Sequence, residues 1–261
     1  MLDALYVGAT GMRGQQLQID TIAHNLANVN TVGFRRGVVS FSEVTAALAA
    51  TSGLDGVSNT RGFANGLRGS GVAGEVMLSL LAGELKQSGE PLDLAIDGVG
   101  FIEVIRADGT PAYTRAGKLA VNGDGLLAAA DGSALASRIE IPSDSREIQI
   151  SPDGRVSVLA SDQEEPIEVG QIDLVAFSNP SALRAAGSNL YVAEAAAGEP
   201  QVAAPGELGM GLLRQGFVES SNVQLADELV TMMVAQRAFE MNARVVQAAD
   251  QMLSITNSLY R

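Results

Sequence analysis

Residues 2–27 read LDALYVGATGMRGQQLQIDTIAHNLA, and Leu2, Leu5, Ala9, Met12, Gln16, Ile19, Ala23 and Leu26 follow one another in alternating steps of three and four. That spacing predicts an amphipathic helix carrying a coiled-coil-like stripe, interrupted only by the polar Gln16. At about 1.5 Å per residue such a helix is roughly 38 Å long. Asn, Thr and Gly cluster from Asn28 to Gly33 and predict its end there.

The other end of the chain mirrors this pattern. Leu225, Met232, Phe239, Val246, Leu253 and Tyr260 recur every seven residues, with Leu229 and Ala243 four after Leu225 and Phe239. Gln236, Asp250 and Asn257 take the remaining positions of the second row, so the stripe is imperfect. Ser220-Ser221-Asn222 supplies candidate helix caps just upstream, and Asp227 and Glu228 suit the positive end of a helix dipole.

Between the helices the pattern changes. Residues 42–75 are rich in Ala, Ser, Thr and Gly, with Gly66, Gly69, Gly71 and Gly74 close together, and read as an extended loop. From Leu92 to about Phe217 short apolar runs alternate with Asp-Gly pairs at 97–98, 108–109, 124–125, 131–132 and 153–154. Glycine accepts the positive φ that tight turns demand, so these pairs predict hairpins. The runs 101–105, 155–159, 171–177 and 189–193 predict strands of an all-β domain, sandwich or barrel-like. The expected fold class is therefore α+β: paired N- and C-terminal coiled-coil-like helices flanking an all-β middle domain. Its expected divisions are 1–35 with 218–261 (helical), 36–87 (extended linker) and 88–217 (β-rich).

Composition narrows the function. The 261 residues are 46% hydrophobic but only 4% aromatic, without Trp, so the core is expected to rest on Val, Leu, Ile and Ala. Residues 36–218 hold 23 acids and 12 bases, most of the net charge of −13. An acidic body lacks the basic patch that nucleic acid or an anionic membrane surface requires, and no segment reaches the ~18 consecutive apolar residues of a membrane span. Cysteine is absent, which excludes disulfides, thiolate zinc sites and cysteine nucleophiles. Met1-Leu2-Asp3-Ala4-Leu5-Tyr6 lacks the basic start, apolar run and cleavage site of a secretory signal, so the expectation is a chain that stays inside or leaves by a route that removes none.

Catalytic chemistry is hard to assemble from these residues. The single histidine, His24, lies in the first helix and is expected at a helix contact rather than on a metal. Asp162, Glu164, Glu165 and Glu168 match no EF-hand spacing and read as a solvated acidic loop. Gly-x-Ser-x-Gly and the P-loop lysine are missing, and the glycines of 66–74, although Gly69-Ser70-Gly71-Val72-Ala73-Gly74 spells Gly-x-Gly-x-x-Gly, have no strand–turn–helix frame around them. No catalytic, cofactor or metal residues are expected.

Ala23-His24-Asn25-Leu26-Ala27-Asn28-Val29-Asn30-Thr31-Val32-Gly33-Phe34-Arg35-Arg36 resembles the N-terminal signature of the bacterial flagellar rod and hook axial protein family, with His24 for an Asn and Arg35 for a Lys. Further blocks follow in the family's order: Pro91 to Gly98 with Gly100-Phe101, Tyr113 to Gly117, Gln215 to Val223, Gln236 to Asn242, and Asp250 to Leu253. Thr10-Gly11-Met12, Gln15-Gln16, Ile19-Asp20 and Ile22-Ala23 are most similar to the family's distal-rod branch.

The resemblance implies a structural subunit that polymerises helically into the drive shaft carrying torque from motor to hook. It implies no enzyme activity and no cofactor. The implied partners are copies of itself, the neighbouring proximal rod and hook proteins, the L- and P-ring proteins and the flagellar export apparatus, without nucleic acid or membrane insertion. The implied location is the basal body, as a rod in the periplasm, reached without a cleaved signal peptide. The terminal helices are expected to form an inner tube and the β domain its outer cover. The expected subunit interface comprises the seam residues Leu5, Met12, Ile19, Leu26, Met232, Phe239, Val246 and Leu253. It also comprises the corner residues Asn25, Asn28, Asn30, Gly33, Phe34, Ser221 and Asn222, with Gln236 and Arg237. Another rod or hook subunit, or a secreted β-rich glycan-binding protein, is the alternative.

Overall fold

The computed structural model describes residues 2–43, 72–79, 81–161 and 165–259. Two long helices, α1 (Leu2–Ala27) and α2 (Leu225–Leu259), bracket eighteen strands among those residues. The strands are β1 (Gly37–Glu43), β2 (Val72–Leu78), β3 (Leu85–Gln87), β4 (Leu94–Asp97), β5 (Phe101–Ile105), β6 (Pro111–Thr114), β7 (Leu119–Val121), β8 (Leu127–Ala129) and β9 (Ala134–Leu135). They continue with β10 (Ser145–Ile150), β11 (Arg155–Ala160), β12 (Ile167–Gln171), β13 (Leu174–Ala176), β14 (Leu183–Gly187), β15 (Leu190–Ala193), β16 (Gln201–Ala203), β17 (Leu212–Gln215) and β18 (Phe217–Glu219). The fold class is α+β.

The chain forms two compact units. One comprises Met1–Ala27, Gly37–Met77 and Gln224–Arg261; the other comprises Asn28–Arg36 and Leu78–Val223. Residues 28–35 and 218–223, assigned to the helical part by sequence, thus belong with the strands. The stretch 36–87, expected as linker, holds strands at both margins: β1 pairs with β2, and β3 with β18. Most of the loop 42–75 lies outside the described residues.

In the β unit, nine strands form one antiparallel sheet, in which β14-β15-β6-β5-β9-β8-β7 are successive neighbours and β13 joins β5 to β16. A second sheet holds β10-β11-β12, and β4 pairs with β17. Four of the five Asp-Gly pairs close hairpins: β5–β6, β7–β8, β8–β9 and β10–β11. Asp97-Gly98 does not, because β4 takes its partner from the far end of the chain, with Ile96 opposite Leu213.

The main core gathers Leu94, Ile102, Val104, Leu127, Leu135, Val156, Leu174 and Leu213, all buried. Each such side chain stabilises by about 1.5–3 kcal/mol on burial. Four of the eleven aromatics meet in a second cluster, which composition did not foretell. There Phe177 meets Phe101 and Tyr113 edge-on with centroids 6.2 and 4.7 Å apart, and Tyr191 meets Phe101 at 6.2 Å. Gly117 is where two backbones nearly touch, since a Cβ there would sit 1.5 Å from the Leu94 carbonyl oxygen.

Candidate assembly surface

In the helical unit α1 and α2 run antiparallel. A Cβ added at Gly8 would meet Val246 Cγ2 at 2.7 Å, one at Gly11 would meet Asn242 Nδ2 at 3.1 Å, and Asn25 bonds Glu228, so numbers rise in α1 as they fall in α2. Gly8, Gly11, Gln15, Gln18, Ile22 and Asn25 follow steps of three and four and define the face of α1 turned to α2. On α2 the matching row is Glu228, Met232, Ala235, Phe239, Asn242, Val246 and Ala249, none of it exposed. The absent side chains of Gly8 and Gly11 let the helices approach closely.

The row one residue earlier on α1 faces the β1–β2 ribbon. A Cβ at Gly14 would touch Phe41 at 3.0 Å, Leu17 lies 2.9 Å from a Cβ at Gly74, and Thr21 lies 3.2 Å from one at Gly37. Asn25 Nδ2 donates to Gly37 O at 2.8 Å while Gly37 N donates to Asn25 Oδ1 at 2.9 Å, which ties ribbon, α1 and α2 together through one buried amide.

The apolar stripe read from the sequence on α1 is the row one residue later. Met12, Ile19 and Leu26 are half-buried, and Ala9, Gln16 and Ala23 exposed. On α2 the expected members Met232, Phe239 and Val246 belong to the face that meets α1, and its open stripe is shifted by one residue. Val234, Ala238, Met241, Val245, Ala248, Met252 and Ile255 again keep steps of four and three; all but the half-buried Ala238 are exposed. Adjacent residues are about 100° apart on a helix. The shift is one residue forward on α1 and one back on α2. Because the helices are antiparallel, the two stripes emerge on opposite sides of the pair.

Other expected residues fall as follows. The side chains of Leu5 and Leu253 lie outside the described part. Gln236, Arg237, Asn30 and His24 are exposed. Asn25, Gly33 and Phe34 are buried in their own chain. Asn28 caps a turn, with Asn28 O accepting from Thr31 N and its Oδ1 from Thr31 Oγ1, both at 3.1 Å. Ser221 Oγ accepts from Val223 N at 3.3 Å, and neither Ser221 nor Asn222 caps α2, whose first turn closes with Glu228 N on Gln224 O. Of the acidic run, Glu165 and Glu168 are exposed and Asp162 and Glu164 lie outside the described residues.

The β unit holds a charge cluster that sequence reasoning missed. Glu219, 2% exposed, accepts from Arg35 Nη2 and Gly83 N through Oε1 at 2.8 and 2.7 Å, and from Arg115 Nε through Oε2 at 2.8 Å. Arg115 spends its other nitrogens on the carbonyls of Gly100, Gly98 and Ile96 at 2.8, 2.9 and 3.1 Å, and Arg35 donates to Leu81 O. Burial lowers the Arg35 guanidinium from its ordinary value, Arg115 adds to that, and Glu219 opposes both. Burial likewise raises the Tyr191 hydroxyl beside it. Arg35 and Arg115 stood in the family-like blocks without a role; a charged residue amid apolar strand positions was the available signal.

Chemistry elsewhere is sparse. Burial raises the Glu103 carboxyl, which borders a small hollow with Ser137 and Asp173. Among the described residues no group of three or more His, Cys, Asp or Glu is placed to hold a metal, and no helix is long and apolar enough to cross a membrane.

Three family descriptions match the chain in order: "Flagella basal body rod protein" over 5–35, "Flagellar hook protein FlgE/F/G D1 domain" over 95–158, and "Flagellar basal body rod FlgEFG protein C-terminal" over 214–259. Among relatives, the flagellar basal-body rod protein FlgG of Borreliella burgdorferi is 40% identical over 265 residues, covering 100% of both chains. That of Caulobacter vibrioides is 40% identical over 260 residues, covering 99% of each, and that of Bacillus subtilis 37% over 268 residues, covering 100% of each.

Proposed function

The chain belongs to the FlgG-like family of flagellar basal-body rod proteins and is a structural subunit of the flagellar rod, and from that premise we propose how it assembles. Copies polymerise head to tail, the open stripe of α2 on one copy seating on the open stripe of α1 on the next. The observation that carries this reading is the placement of the two stripes on opposite sides of the antiparallel pair. A self-complementary dimer needs the same patch on both partners, whereas two different patches facing apart build an open chain of subunits. Coiled-coil packing of the helices then arises between copies, along Met12, Ile19 and Leu26 on one side and Val234, Met241, Val245 and Ile255 on the other.

The finer assignments follow from the same reading. The polymer is the distal drive shaft between motor and hook, meeting proximal rod and hook proteins at its ends and the L- and P-rings around it. Its subunits arrive through the flagellar export apparatus with no signal peptide removed, and the rod stands in the periplasm. Of the expected interface set, Gln236, Arg237 and Asn30 remain available to neighbours, while Asn25, Gly33 and Phe34 shape the subunit itself. Electron microscopy and sedimentation of the concentrated full-length chain test the reading. Filaments or tubes above a critical concentration are expected; a monomer at every concentration overturns it.

A further inference from the structure

We propose that Glu219, Arg35, Arg115 and Asn222 form a mechanical clamp, which carries load directly between the two passages by which the chain leaves the β unit for its terminal helices. The role under load rests on the rod reading above; the clamp itself is a property of the single chain. Residues 28–36 form the first passage and 219–223 the last. They are stitched to each other across more than 180 positions of sequence. Gly33 N donates to Glu219 O at 2.7 Å, Arg36 N to Asn222 Oδ1 at 2.7 Å and Asn222 N to Phe34 O at 3.4 Å, with the Arg35–Glu219 ion pair at 2.8 Å beside them. A third passage is drawn in, since Ser79 N donates to Arg36 O at 2.8 Å and Asn222 Nδ2 to Leu81 O at 2.8 Å.

A chain pulled at both ends therefore has a short path for force, from 33–36 straight to 219–222, which bypasses everything folded between them. The chemistry suits that path. Apolar packing gives area but little direction, and a buried ion pair is no more stabilising than the apolar residues it displaces. A carboxylate held by two guanidiniums and an amide instead fixes three directions at once. Two cations around one anion leave a surplus positive charge, and the Gly100, Gly98, Ile96 and Leu81 carbonyls face it.

Pulling single, unpolymerised full-length molecules by handles at residues 1 and 261 tests the clamp without any rod. The terminal helices should peel first, and the clamp should then hold until it ruptures ahead of the strands. Arg35→Lys keeps the charge but cannot serve Glu219 and Leu81 together. Asn222→Ala removes the side-chain bonds to Arg36 and Leu81 and spares the ion pairs. Each is expected to shorten clamp lifetime at fixed force about tenfold. Removing the exposed Arg184–Glu194 pair with Arg184→Ala should leave it unchanged. Lifetimes within twofold of the parent for both clamp variants overturn the proposal, as does equal shortening by Arg184→Ala.

Discussion

Met241→Ala is the most telling perturbation of the assembly surface. The side chain is 67% exposed in the isolated chain and sits mid-stripe, seven residues from Val234. Burying a whole methionine is worth about 1.5–3 kcal/mol, so covering its open two-thirds in an interface is worth about 1–2 kcal/mol. Truncation should then raise the critical concentration for polymerisation about 5- to 30-fold. The folded monomer should hardly notice, since little of the side chain is packed; its melting temperature should stay within about a degree or two. Pelleting over a concentration series reads the first quantity and calorimetry the second. Gln247→Ala, exposed on another side of α2, is the matched control and should do neither. A critical concentration within twofold of the parent, while filaments still form, would refute the stripe-on-stripe contact.

Three further outcomes test the subunit. Gly33→Ala should destabilise the β unit by about 2 kcal/mol or more, because φ is +69° and the new Cβ would lie 2.6 Å from both Arg115 O and Ala116 N; urea melts read it. Asn25→Asp should loosen the helical unit by about 2–4 kcal/mol, replacing the donor to Gly37 O and Glu228 Oε2 with a second buried carboxylate; helical circular dichroism on heating follows it. Glu103→Gln should stabilise at pH 7 and make no difference near pH 4. Burial raises the Glu103 carboxyl above 4.5, so the protonated form's contribution is whole below 4.5 and is lost as pH climbs through the raised value. Equal urea midpoints for Glu103→Gln and parent at pH 7 would contradict this.

The local features of the fold were legible in the sequence and the distant ones were not. Gly109, Gly125, Gly132 and Gly154 all take positive φ at hairpin turns, a demand that Asp-Gly announces on its own. Nothing near Asp97 announces that β4 pairs with β17, or that Arg35 and Glu219 meet, because neither pairing leaves a periodic trace. The helices emerged where their stripes end, at Ala27 and Leu225. Which face meets which partner did not, since the in-chain contact runs over Gly8, Gly11, Asn25, Ala235 and Ala249, small or polar residues that a search for apolar periodicity passes over. For α2 that shifted the open stripe by one residue. The strands β1 and β2, seven residues each, escaped because the stretch between them is dominated by Ala, Ser, Thr and Gly.

The quarter-turn between contact face and open stripe has a geometric consequence. Helices joined alternately through faces set about 100° apart cannot line up in single file; they zigzag, each α1 stepping to one side and each α2 to the other. In the proposed polymer, repetition of that step would lay down a palisade two helices deep, all first helices in one ply and all last helices in the opposite one. Were such a palisade to close into a tube, anything threading it would touch only one of the two plies, so the inner and outer linings would be free to differ in chemistry although every copy is identical.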